Sequence, residues 1–133
     1  MKKLRIAASA LGIFTGLGGA THGPGAILQG NVAPSDLVFE AWPSLTTLGG
    51  EPAMTIIPNL LVTGILTIIV GLIVAIWAGA YIERKWGGLI LILLTIALLL
   101  VGGGLMPPLF GFAGGILGAI INYNAVKHGA VTV

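Results

Sequence analysis

Apolar residues fall into four long runs separated by short polar or glycine-rich stretches, at about residues 4–22, 53–81, 88–106 and 108–126. Apart from Arg5 at its edge, the first run holds no Asp, Glu, Lys or Arg, and the interiors of the others hold none. Each approaches the about 20 apolar residues that a membrane-crossing helix needs. The strict alternation of a barrel strand is missing, and open strands leave backbone groups unsatisfied in lipid, so helices are the expected spanning form. The pattern predicts an all-α membrane protein: a four-transmembrane-helix bundle in one domain over residues 1–133. The fourth run has the weakest signal, being rich in Gly and ending in Asn122, Tyr123 and Asn124.

The breaks have their own chemistry. Gly87-Gly88 after Glu83-Arg84-Lys85 predicts a short turn, and Gly102-Gly103-Gly104 with Pro107-Pro108 predicts another. Glu51-Pro52 suits the start of the second helix, with Pro58 in its first turns or kinking it. Met1-Lys2-Lys3-Leu4-Arg5, followed by an apolar stretch and the small residues Gly18 and Ala20, also has the form of a secretory leader. A retained first span is the reading carried forward.

The connection over residues 23–52 is far longer than the usual link between helices. Ser35 followed by Asp36 to Trp42 predicts a short interfacial helix, with Leu37, Val38, Ala41 and Trp42 on one side and Asp36 and Glu40 on the other. The expectation is an ordered extracytoplasmic loop folded over the helices.

Charge fixes an expected orientation. The six basic residues, Lys2, Lys3, Arg5, Arg84, Lys85 and Lys127, all fall on one side of a four-span arrangement, while the long loop carries only Asp36, Glu40 and Glu51. The positive-inside rule then puts both termini in the cytoplasm of a multi-pass cell-membrane protein. Trp77, Tyr81 and Trp86 would sit at the cytoplasmic interface. So few cationic residues predict no strong headgroup selection.

Small residues recur every fourth position, which places them on one helix face. Ala8, Gly12, Gly16 and Ala20 form such a row in the first run, and Asn59, Thr63, Thr67, Gly71, Ala75 and Gly79 form one in the second. The fourth run has two, Gly111-Gly115-Ala119 and Gly114-Gly118-Asn122. In lipid, such rows let backbones approach closely. The third run is bulky nearly all round, so the first, second and fourth spans are expected to make the close contacts while the third faces lipid.

Composition narrows the chemistry. Hydrophobic residues are 56% of the 133 and charged residues 8%, which excludes an ordinary soluble domain or a disordered tail. With no Cys and two separated His residues, His22 and His128, no metal site or cofactor is expected. No phosphate loop, serine elbow or nucleic-acid signature occurs, and no acid lies within a span to build a proton relay. Two polar sets remain. Asn59, Thr63 and Thr67 form a possible polar path. His22, with Gln29, Asn31, Glu40 and Glu51, forms a possible outer site, in which an imidazole beside a carboxylate acts as proton switch or base. The plainer role for His22 is to cap the end of the first helix, with Gly23 beyond it.

The stretches His22-Gly23 to Leu28-Gln29-Gly30-Asn31, Glu51-Pro52-Ala53-Met54-Thr55-Ile56-Ile57-Pro58-Asn59 and Gly102-Gly103-Gly104 to Pro107-Pro108 resemble a family of small, uncharacterised four-span prokaryotic membrane proteins. The resemblance implies no activity, cofactor or substrate. The expected function is structural or accessory: a homo-oligomer or membrane-complex subunit with the lipid bilayer as its other partner and no nucleic acid. The alternatives are a small-solute channel or transporter lined by Asn59, Thr63 and Thr67, and an outer-face sensor or enzyme using His22 with Glu40 or Glu51.

Overall fold

The computed structural model describes residues 2–34, 38–40 and 52–127. Helix α1 spans Lys2–Ala20, α2 His22–Gln29, α3 Leu60–Ala80, α4 Gly87–Val101 and α5 Pro107–Lys127; strands β1 (Val38–Glu40) and β2 (Pro52–Met54) pair antiparallel. Three helical segments, Lys2–Gln29, Leu60–Ala80 and Pro107–Lys127, are long and apolar enough to cross a membrane. The fourth, α4, has only 15 residues.

The first helix does not stop at His22. Thr21 N–H still bonds the Leu17 carbonyl at 3.1 Å and Thr21 keeps helical dihedrals, so α1 runs into α2 with only a break at Thr21. Pro24 accounts for the break, because it has no N–H to give the Ala20 carbonyl and its ring crowds that carbonyl. Gly23 therefore lies inside a helix rather than beyond one, and Gln29 is the last residue of α2 rather than part of a covering loop. Gly30, at φ 90°, turns the chain out of the helix.

The second span begins later than its apolar run suggested. Residues 52–54 form a strand, and α3 starts at Leu60 with Asn59 as its N-cap, the side-chain oxygen accepting from Val62 N–H at 3.0 Å. Pro58 lies before the helix and disfavours helical geometry in Ile57, and Pro52 lies in the strand, so neither proline is at a helix start; Glu51 lies outside the described residues. Of the interfacial helix expected over Asp36 to Trp42, the described residues Val38–Glu40 are instead extended and pair with Pro52–Met54; Ser35, Asp36, Leu37, Ala41 and Trp42 lie outside the described residues. The ladder supplies these backbone groups with partners that a short isolated helix would leave open at its ends.

Helix α1 packs on α3 and α5, and α4 packs on the same two, so the four close a ring, while α2 continues along α3. The expected contact scheme is thus half right. The α1 row does face α3: a Cβ on Gly16 would lie 2.4 Å from the Gly71 carbonyl oxygen and 2.5 Å from Ala75 N, and one on Gly71 would meet Ala20. But α4 also makes a tight contact, because a Cβ on Gly88 would lie 2.1 Å from Ala119 N. Leu89, Leu93 and Ile96 on its other side are exposed. Gly79 is exposed and Ala78 is fully buried in its place, opposite Gly12. A four-residue step turns a helix about 40° past a full circle, so the row drifts off the contact by its end.

Antiparallel neighbours share registers along the ring. Arg5 meets Glu83 at 3.4 Å, Ala8 lies by Gly114, Thr15 by Pro107 and Gly23 by Gly64. The six basic residues therefore lie at one end of the ring, and β1, β2 and Gly30 at the other. At that second end the helices finish at different heights. Val101, near the end of α4, stands beside Thr67, two turns or about 10 Å below the start of α3. Residues 52–59 occupy the step, with Ala53, Thr55 and Leu60 buried.

Candidate functional site

The polar groups expected to form a path are buried and bonded internally. Thr63 and Thr67 are each 0% exposed. Thr67 Oγ1 donates to the Thr63 carbonyl at 2.7 Å and to the Val101 carbonyl at 3.0 Å. The Thr63 and Thr55 hydroxyls lie 3.1 Å apart, and Thr55 Oγ1 accepts from Ile57 N–H at 3.0 Å. Asn59 Nδ2 donates to Asn31 Oδ1, joining one residue of the expected path to one of the expected outer site. Next to them, Leu60 N–H bonds the Val32 carbonyl at 2.8 Å.

These bonds share a physical cause. A helix leaves its last carbonyls without donors, and no water compensates for that in an apolar setting. At the end of α4 the Leu98 carbonyl accepts from Gly102 N–H and Gly103 N–H, Leu100 from Ile56 N–H at 2.9 Å, and Val101 from Thr67. The segment after β2 and a threonine of α3 thus complete the end of α4.

His22 sits at the same end, 2% exposed. Its Nδ1 lies 2.9 Å from the Gly18 carbonyl, one turn back, which also accepts from Thr21 Oγ1. The ring packs on Gly104, where a Cβ would lie 2.6 Å from Nε2. Gly104 has φ +88° and Gly102 φ +120°, so the glycine turn both reverses the chain and admits the imidazole. Gln29 Nε2 donates to the Gly25 carbonyl at 3.3 Å, and Asn31 is held by Asn59. The Glu40 side chain and Glu51 lie outside the described residues, so the proposed pairing of His22 with either is not on view. Among the described residues no three His, Asp or Glu side chains converge as a metal site.

Three further polar residues escaped the sequence reading as structural ties. Thr15 Oγ1 donates to the Leu11 and Pro107 carbonyls, both at 2.9 Å, and docks the start of α5 on α1. Thr95 is buried against Gly111 with its hydroxyl on the Leu91 carbonyl at 2.7 Å. Asn122, noted only as a member of a small-residue row, clamps the opposite turn: Gly88 N–H donates to its Oδ1 at 2.8 Å, and its Nδ2 donates to the Ile82 carbonyl at 2.9 Å. A buried threonine on an apolar helix carries no local signal beyond its polarity. Asn122 carried one, as an amide inside a spanning run.

Gly111 meets Thr95 and Thr15, Gly114 meets Ala8 and Leu11, Gly115 meets Ile92, and Gly118 meets Ile82 and Gly88. All these contacts lie within one chain. No protein-family model, curated protein or solved structure matches this chain.

Proposed function

We propose that this chain is a structural or accessory integral membrane protein that crosses the bilayer four times, with both termini in the cytoplasm, and acts as a homo-oligomer or as a subunit of a membrane complex. The carrying observation is the use of its buried polar side chains. Thr15, Thr55, Thr63, Thr67, Thr95 and Asn122 are all buried and all bond backbone or one another. Their geometry joins elements of the fold and leaves no continuous polar face on α3 for a solute.

The spanning reading draws on distance as well as composition. From Leu60 to Ala80, the 21 residues of α3 cover about 32 Å, close to the about 30 Å of a bilayer's hydrocarbon core. Trp77 and Tyr81 stack with ring centroids 5.0 Å apart at one end of that length, and the Arg84 guanidinium lies over Tyr81. Aromatic rings beside cations suit a membrane interface, and the cationic end is assigned to the cytoplasm. The shorter α4 crosses with help from the glycine turn and from residues 52–59.

Because the row glycines other than Gly79 are occupied within the chain, the surface left for a partner is aliphatic, such as Ile65, Ile69, Leu72 and Ile76 of α3. Particle size in a mild detergent and in native-membrane nanodiscs tests the proposal. An assembly larger than one chain is expected in both, and a uniform monomer in both overturns the subunit reading.

A further inference from the structure

At the cationic end, α5 runs past the start of α4. Gly88 is in contact with Ala119 and Gly115, so the last turn of α5 stands beyond its neighbour. This leaves a groove of about 410 Å³ between the first turn of α4 and the last two turns of α5. Leu89, Ala119 and Val126 form its walls, and Trp86 and Tyr123, 56% and 67% exposed, stand at its rim. Asn122 also faces it, but both ends of that amide are bonded to backbone.

The charge at the mouth has one sign. Lys85 lines the groove, its Nζ 5.2 Å from the centroid of the Trp86 ring. Lys127 follows Tyr123 by one helical turn on the same face of α5. The nearest acid in sequence, Glu83, is paired with Arg5 in a separate recess beside Lys2 and Ile121.

We infer that this groove is a binding site for one anionic phospholipid of the cytoplasmic leaflet, with an acyl chain between Leu89, Ala119 and Val126 and the phosphate at Lys85 and Lys127. An apolar slot between spanning helices, opening onto basic side chains at the interface, fits a lipid of that charge. So few cations predict no strong headgroup selection, but the fold puts Lys85 in the slot and Lys127 one helical turn beyond Tyr123 at its rim. The inference rests on the spanning reading above.

The test reconstitutes the full chain into nanodiscs holding equal phosphatidylglycerol and phosphatidylcholine, extracts it into mild detergent and counts retained lipids by native mass spectrometry. One phosphatidylglycerol per chain is expected, favoured over phosphatidylcholine. Lys85→Gln should cut that preference about five-fold, the effect of losing one cation near an anionic surface. Ala119→Leu, which fills the slot, should abolish retention of both lipids; if it does not fold, Val126→Trp closes the slot from the last turn of α5 with the same expected loss. Equal retention of the two lipids by the unaltered chain, or an unchanged preference in Lys85→Gln, overturns the site. Failure of the chain to enter nanodiscs at all would instead sink the spanning reading.

Discussion

Gly88 and Gly18 both sit at helix contacts, yet a methyl group meets different atoms at each. On Gly88 it would lie 2.1 Å from Ala119 N and 2.5 Å from the Gly115 oxygen, backbone atoms that cannot turn aside. On Gly18 it would lie 3.5 Å from the Pro107 ring, an ordinary contact. Gly88→Ala should therefore lower stability by about 2–3 kcal/mol, the upper range for overpacking. Gly18→Ala should raise it by up to about 1 kcal/mol through helix propensity. Unfolding of both variants in one detergent checks the pair, and a matching shift would show that the α4–α5 contact is looser than described. Asn122→Leu should cost about 2 kcal/mol, since it strands the Gly88 N–H and the Ile82 carbonyl at once. The same assay reads it, and a neutral result would mean that neither bond contributes. At this scale a four-residue repeat makes Gly12, Gly16 and Gly71 stand out in the sequence, whereas Gly88 belongs to no such row and reads only as part of a turn. Thr15 was not legible, because its bond to Pro107 joins residues far apart in the chain.

Element boundaries were legible where punctuation was strong, as at Gly102 and Pro107, and misleading where composition and conformation disagreed. Residues 53–58 are apolar like a helix interior, yet they form a strand and a connector over the end of α4. Their hydrophobicity reports where they lie rather than how they fold. The Pro58-Asn59 pair held the correct signal, a residue that disfavours helix before it and a capping residue after. At the first span, the apolar run predicts an end at His22, but the helix continues through Pro24, because a spanning helix tolerates proline when neighbours support it. The covered end of α4 yields a prediction of its own. Thr67→Val removes the donor to the Val101 carbonyl and should cost about 0.5–1.5 kcal/mol. Amide exchange should quicken at Gly102 and Gly103 while α5 stays protected. Equal acceleration along α5 would show that Thr67 supports the whole ring rather than this end.

For the molecule as a whole, the fold gathers the six basic residues at one end, where the runs of the sequence had sorted them, while Asp36 and Glu51 lie outside the described residues. Which side of the membrane that end faces is open to direct labelling, because the chain has no Cys of its own. Val32→Cys should react with an impermeant maleimide in intact cells, and Lys3→Cys and Lys85→Cys only after permeabilisation. Reaction of the last two in opposite compartments would end the four-span proposal. The unequal heights of the helices have a further consequence. Fifteen residues make α4 about 22 Å long, well short of a typical hydrocarbon core. If α4 crosses the bilayer, lipids on the part of that flank that residues 52–59 leave uncovered must shorten or tilt to meet it, while those beside α3 need not. On the four-span proposal the protein is thus a lopsided wedge, one that favours thin bilayers and draws short-chain lipids to the side of α4.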